Sequence, residues 1–269
     1  MSNQLNEESW NKLSLCYQEL NTISVNNYHY NPYGPGEKQL GIIGTVEGLD
    51  ILDVGCGGGQ NAVVLMKWGA KSVTGLDQSS IQLKHARRLA GRERVPVRFL
   101  KADIEDMSIL SDASFDLAVS THAMNYASNI DRVFGECARV LRPNGRLVTC
   151  MAHPLWLILG EALEYRDFTR LANYFEVGRE ERDWKKQSGE KIATFGSTPW
   201  QLGQIINGLI AAGFSIERLE EPRGYSEDEI ARIDSDAMPY HDSKWINRDF
   251  IRSNRIVPNS VIVSARRRY

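Results

Sequence analysis

Four absences narrow what this chain can be. No run of apolar residues approaches the roughly 20 that a membrane-spanning helix needs, so no such helix is expected. Residues 1–8 are polar and acidic, without the basic-then-apolar pattern of a secretion signal, and a cytoplasmic location is expected. A basic excess is missing too: Lys and Arg total 32 against 34 Asp and Glu, a net charge of −2. Proteins that bind nucleic acid draw much of their affinity from phosphate contacts and usually show such an excess, so neither nucleic acid nor membrane is expected as a partner. The single basic cluster, Arg266-Arg267-Arg268, reads as a solvated tail. Paired cysteines are missing as well. Cys16, Cys56, Cys137 and Cys150 are scattered, which suits reduced thiols and excludes a disulfide framework or a cysteine metal site. No metal is expected.

What remains is a chain of 269 residues, 42% hydrophobic and 25% charged, the composition of a packed globular core. From about residue 48 short apolar runs alternate with longer amphipathic segments. Residues 49–54, 72–76, 95–100, 115–120 and 147–151 read as strands. Residues 61–68, 79–90 and 130–141 read as helices, and Ile81, Leu83, Ala86, Leu89 and Ala90 fall at helical spacing. Arg142-Pro143-Asn144-Gly145 reads as a turn in which Gly145 supplies the positive φ. Residues 200–212 read as a further helix, and 215–219 and 257–265 as two final strands. Alternation with short connections demands parallel strands, right-handed crossovers and helices on both faces. The fold class is therefore α/β, a doubly wound, Rossmann-like, mostly parallel sheet. Residues 1–45 are expected to form an N-terminal cap segment on a core of residues 46–269. Residues 155–197 and 223–255 are expected as insertions into that core, helical and aromatic in character. Ligands in such folds bind at the carboxyl ends of the strands.

The strongest motif is Asp53-Val54-Gly55-Cys56-Gly57-Gly58-Gly59, at the turn from the first strand into a helix. Glycines there permit a tight turn and close approach of backbone to a ligand. A dinucleotide fingerprint would place a further glycine at position 60, which is Gln60. Asp53 would repel a pyrophosphate but attract an ammonium group. Asp77 ends the second strand, where a carboxylate can accept from both hydroxyls of a ribose; it also suits the start of the next helix. Asp103 follows the third strand, where it can accept from the amino group of an adenine beside Ile104.

Together with Phe115-Asp116-Leu117-Ala118-Val119-Ser120 and Arg139-Val140-Leu141-Arg142-Pro143-Asn144-Gly145, these motifs resemble the class I S-adenosylmethionine-dependent methyltransferases, over about residues 46–154. The similarity is to the small-molecule, natural-product branch of that family. It implies a seven-stranded sheet whose last strand runs antiparallel, and S-adenosyl-L-methionine as cofactor. Carried over by position, the cofactor residues are Asp53, Gly55, Cys56, Gly57, Asp77, Gln78, Asp103, Ile104 and a loop from Ser120 to Ala123. Asn144 departs from the family, which usually has glycine there.

Methyl transfer is an in-line displacement, so a base is needed only when the acceptor arrives protonated. Three histidines are candidates for a base or an orienting group: His122 after the fourth strand, His153 after the fifth, and His29 in the aromatic segment Tyr28-His29-Tyr30-Asn31-Pro32-Tyr33. Each would serve as well to hold a backbone carbonyl. Tyr28, Tyr30, Tyr33 and Trp156 are expected at the substrate pocket, with Tyr165, Phe168, Tyr174 and Phe175 behind them, although aromatics at such spacing are usually core. As a set they point to an aromatic or apolar small molecule as methyl acceptor, a secondary metabolite, modified on nitrogen or oxygen. Methylation of carbon, methylation of nucleic acid or protein, and cofactor binding without catalysis are the alternatives.

Overall fold

The structure is a computed structural model that describes residues 2–176, 178–185, 189–234, 236–243 and 248–268. Its centre is a seven-stranded sheet of β1 (Asp50–Val54), β2 (Ser72–Asp77), β3 (Val97–Lys101), β4 (Phe115–Thr121), β5 (Leu141–Ala152), β6 (Phe214–Glu220) and β7 (Ser260–Arg267). The order across the sheet is β3-β2-β1-β4-β5-β7-β6. β1 to β5 pair in parallel, and β7 runs antiparallel to both β5 and β6.

Alternate residues of β1 feed two apolar layers, as a sheet covered on both faces requires. Ile51 packs with Leu117 and Val119 under helices α2 (Gln60–Lys67) and α3 (Ser80–Glu93). Leu52 and Val54 pack with Ala118 under α4 (Ile130–Val140) and α6 (Leu202–Ala211). Two helix starts are specified by side-chain caps: the Ser79 side chain accepts from the Gln82 N–H before α3, and Asn129 accepts from the Arg132 N–H before α4. Chain order reverses between β1 and β4, so their carboxyl ends diverge and leave a crevice.

Three features differ from expectation. β5 begins at Leu141 and runs through the segment read as a turn, its pairing with β4 shifting register between Phe115 and Leu117. The positive φ falls on Asn144 (63°), not Gly145. Gly145 is needed for closeness instead, since a Cβ there would lie 2.8 Å from the Arg142 carbonyl oxygen. The arginines at 266–268 are not a solvated tail. Arg266 pairs with Glu217 at 2.5 Å, Arg267 donates to the Leu141 carbonyl, and Arg268 donates to Ser215 Oγ at 2.6 Å, so they finish the sheet edge.

The segments outside the core carry more regular structure than their sequence suggests. α1 (Ser2–Leu20) is a long helix, and residues 155–197 hold α5 (Pro154–Tyr165) followed by a hairpin of Glu180–Lys185 and Lys191–Ser197. Asn6 joins α1 to that hairpin as a third strand would, donating to the Gly196 carbonyl and accepting from the Gly196 N–H, both at 2.9 Å. The ribbon Asn21–Ile23 pairs with Tyr240–Ser243, tying the N-terminal segment to residues 223–255.

These contacts predict an asymmetric pair of variants. Gly145→Ala should cost about 1–3 kcal/mol, because backbone must yield to the new methyl. Asn144→Gly should change stability by less than about 1 kcal/mol, since asparagine already tolerates the left-handed region. Urea denaturation of both variants reads this directly, and equal losses would contradict the assignment.

Candidate active site

The carboxyl ends of β1 to β5 open into a cavity of 1260 Å³. At its base the glycine turn does what close approach requires. Gly55 has φ 74°, and a Cβ there would lie 2.2 Å from the Ala123 Cβ. Gly57 has φ 51°, and its Cβ would meet only open space, so bare backbone faces the cavity. Gly55 and Cys56 both donate their N–H to the Leu76 carbonyl, clamping the turn to β2. Asp77 accepts from the Gly57 N–H at 2.9 Å and from the Ser79 N–H at 2.8 Å. Asp103 accepts from the Glu105 N–H at 2.9 Å. Asp53, Gly55, Cys56, Gly57, Asp77, Gln78, Asp103 and Ile104 all line the cavity.

Asp53 is buried and Asp77 partly buried, and Asp77 lies close enough to act on Asp53. Burial and the nearby Asp77 push Asp53 up to about 7, against one backbone N–H from Ala62. Asp53 Oδ2 has no hydrogen-bond partner. Burial pushes Asp77 up to about 6, opposed by its two backbone donors. A pair of this kind is poised for a ligand that brings hydroxyl donors and positive charge. Among the described residues no group of three His, Cys, Asp or Glu side chains is arranged to hold a metal ion.

Several side chains named from the sequence lie elsewhere. Ser120 is buried off the cavity wall, where its Oγ donates to the Val54 carbonyl and ties β4 to β1; Thr121, His122 and Ala123 take the wall. His153 is also off the wall. Both its ring nitrogens are occupied: Nδ1 accepts from the Leu155 N–H at 3.0 Å, capping α5, and Nε2 lies 2.7 Å from Glu221 Oε1. It therefore has no nitrogen to offer a substrate. Tyr28 and Tyr30 are core residues, because their hydroxyls find partners inside: Tyr28 with Thr121 Oγ1 at 2.9 Å, Tyr30 with Glu37 at 2.5 Å. Tyr33 has φ 53° and lies outside the wall, its N–H donating to the Tyr240 carbonyl. Phe168 and Phe175 are 73% and 83% exposed. Tyr174 is off the wall, and the side chain of Tyr165 lies outside the described residues.

His29, His122 and Trp156 do line the cavity. Burial lowers His29 to about 3, helped by its neighbour His122, and lowers His122 to about 4. Both are neutral at pH 7. Trp156 meets Phe250 edge-on at 5.0 Å.

The opposite wall is aromatic, and sequence reasoning missed it. Trp10 lies 4.9 Å from Phe195, 5.4 Å from Tyr126 and 6.5 Å from Trp184, and Tyr17 lies 6.1 Å from Trp184. These rings come from α1, the turn Met124–Tyr126 and the hairpin. The signal in α1 was present, since Asn6, Trp10, Leu13 and Tyr17 recur at the spacing of one helix face. The hairpin had only the alternation Arg182, Trp184 and Ala193, Phe195.

Known proteins resemble this chain over most of its length. A family model described as a methyltransferase domain matches residues 52–149. An uncharacterized protein of Haemophilus influenzae is 29% identical over 234 residues, 82% of this chain and 88% of that one. An uncharacterized methyltransferase of Bacillus subtilis is 31% identical over 185 residues, 66% of this chain and 71% of that one. The crystal structure of an S-adenosylmethionine-dependent methyltransferase from Mesorhizobium loti superposes with a TM-score of 0.63 at 26% identity, covering 86% of this chain and 96% of that one.

The capping role of His153 is measurable. His153→Ala should lower stability by about 1–2 kcal/mol, and His153→Asn should recover most of that, because asparagine caps helices well. A His153→Ala variant as stable as the parent in thermal melts would refute the capping role.

Proposed function

The chain belongs to the S-adenosylmethionine-dependent methyltransferases, and from that premise we propose that it methylates nitrogen or oxygen on a small molecule with an aromatic or apolar body. One observation carries this reading: a single cavity joins an acidic floor, with an unpartnered carboxylate oxygen, to a wall of five aromatic rings. The floor fits the cofactor. Asp53 would hold its ammonium group, Asp77 its ribose hydroxyls, and Asp103 and Ile104 its adenine, with Gly55, Cys56, Gly57 and Gln78 around them. When bound, S-adenosylmethionine supplies an electrophilic methyl carbon on a positively charged sulfur.

The chain's own residues then have three tasks. The first is charge. With His29 and His122 held neutral by burial, neither imidazole sets a positive charge against the cationic donor. The second is positioning, which can lower a bimolecular barrier by about 7–11 kcal/mol at best. The aromatic wall offers flat apolar surface to an acceptor ring. The third is the proton. Imidazoles whose acids lie near 3 and 4 orient an acceptor well but hold a proton poorly. That favours acceptors whose lone pair is already available at neutral pH. The absence of a basic excess supports a small molecule over nucleic acid. No described helix is long and apolar enough to cross a membrane, and the four free cysteines support a reducing, cytoplasmic setting.

Calorimetric titration tests the reading. S-adenosylhomocysteine should bind and NAD should not, and Asp77→Ala should weaken the former by about ten- to a hundredfold, the cost of losing charged hydrogen bonds. Binding of NAD alone would move the chain to another class.

The floor also predicts a pH dependence. Asp53 ionises near 7 in the free protein, and a bound ammonium group pulls that value down. Binding therefore releases a proton below pH 7. The affinity for S-adenosylhomocysteine should fall as pH drops through 7, approaching tenfold per pH unit. In Asp53→Asn that slope should vanish between pH 7 and about 6, below which Asp77 takes up its own proton. An unchanged slope in the variant would assign the proton to another group.

A further inference from the structure

Asn125 stands in the turn Met124–Tyr126 after β4, on the cavity wall between the cofactor floor and the aromatic rings. It is 7% exposed. The orientation of its carboxamide is decided by its surroundings. The Ala152 N–H, at the end of β5, donates to Asn125 Oδ1 at 2.9 Å. The oxygen must face that donor, so the amide nitrogen is turned the other way. Asn125 Nδ2 has no hydrogen-bond partner. The backbone is held as well: the Thr198 N–H donates to the Asn125 carbonyl at 2.8 Å, and the Tyr126 N–H donates to the Ala123 carbonyl at 3.0 Å.

A buried amide with unpaired hydrogens is something folded chains avoid. Oδ1 accounts for half of this side chain, and an aspartate would serve that half equally. The donor half has no role inside the protein. It is neutral, so it suits a carbonyl, phenolic or ether oxygen. Its nearest aromatic neighbour along the chain is Tyr126, a member of the ring wall with Trp10 and Phe195.

We propose that Asn125 Nδ2 donates to an oxygen carried on the ring of the methyl acceptor, so that the acceptors of this enzyme are oxygenated aromatic compounds and Asn125 selects which edge faces the methyl donor. The proposal rests on the assignment of the cavity to cofactor and acceptor together.

The test is calorimetric titration of the full chain saturated with S-adenosylhomocysteine, using indole, 5-hydroxyindole and oxindole as probes. The three are planar and similar in size, and the last two add a hydroxyl or a carbonyl oxygen. Wild type should bind at least one oxygenated probe about tenfold more tightly than indole. Asn125→Asp keeps an acceptor for the Ala152 N–H and, titrated at pH 8.5 to keep the buried carboxyl ionised, replaces the donor with an anionic oxygen. It should lose that preference while retaining its affinity for S-adenosylhomocysteine, with a lower melting temperature from the buried charge. Asn125→Leu, which removes both halves, should lose the preference and also some stability. A merely structural asparagine would be rescued by aspartate, and a preference that survives in Asn125→Asp overturns the proposal. So does the lack of any preference in wild type, whether all probes bind equally or none binds. A loss of S-adenosylhomocysteine affinity in Asn125→Asp would assign the donor to the cofactor and overturn it as well. Failure of wild type to bind S-adenosylhomocysteine at all would instead refute the cofactor assignment on which it rests.

Discussion

Asp53 sits buried at the carboxyl end of β1, with one oxygen unpartnered and a second, partly buried carboxylate, Asp77, at the end of the neighbouring strand. Taking a carboxylate out of water without full compensation is unfavourable, and the group responds by holding its proton to about pH 7. The position is not incidental. β1 is the strand at which chain order reverses, so its end opens toward the crevice rather than into a covering helix. The glycine turn that follows carries only the small Cys56 side chain into that crevice, and it places backbone N–H groups on Leu76 and Asp77. The free protein therefore carries strain in electrostatic form at one spot. A ligand with an ammonium group and paired hydroxyls relieves it. The affinity we propose for such a ligand and the raised Asp53 carboxyl are two views of the same interaction.

The cavity changes character away from that floor. Its acidic end is built from consecutive strand ends, within one continuous stretch of chain. Its aromatic end is assembled from α1, the Met124–Tyr126 turn and the hairpin ending at Ser197. The joint between the two ends is the loop after β4. Thr121, His122 and Ala123 face the floor's side, and Asn125 and Tyr126 begin the ring wall. His122 adopts φ 54° there, with its N–H on the Cys150 carbonyl. That unusual backbone turns the loop across the carboxyl ends of β4 and β5.

This division explains what was legible in the sequence. Asp53, Asp77 and Asp103 each follow a recognisable strand, so local pattern plus the rule for strand ends locates them all. The sheet was readable for the same reason, including its antiparallel final strand, which the family resemblance implied. The aromatic side was not readable because its contacts join residues far apart in the chain. Asn6 meets Gly196, and Trp10 meets Phe195. No periodicity in either segment names its partner. Tyr28 and Tyr30 illustrate the opposite error. They lie in a turn-rich stretch that suggests a pocket rim, yet Thr121 and Glu37 satisfy their hydroxyls, and that lets the rings sink into the core. His153 was misplaced because a strand-end histidine and a helix-capping histidine look alike until the Leu155 N–H and Glu221 are seen.

α1 links the two ends of the cavity, and this has a consequence for how specificity is encoded. Gln18 reaches the glycine turn: Gln60 donates to its Oε1 at 2.6 Å, and its Nε2 donates to Gln82 at 3.0 Å. A Cβ on Gly58 would lie 2.3 Å from the same amide. Trp10 and Tyr17, on the same helix, stand among the acceptor-side rings. One rigid element thus sets the distance between the cofactor floor and the aromatic wall. A floor that holds one cofactor, as we propose, would admit little change. Apart from the hydrogen bond between the Tyr17 and Tyr240 hydroxyls, the wall is held by packing, where aromatic rings exchange for one another at modest cost. Substitutions in α1 and the hairpin can therefore reshape the acceptor space while the strand ends, and the electrostatics they depend on, stay as they are.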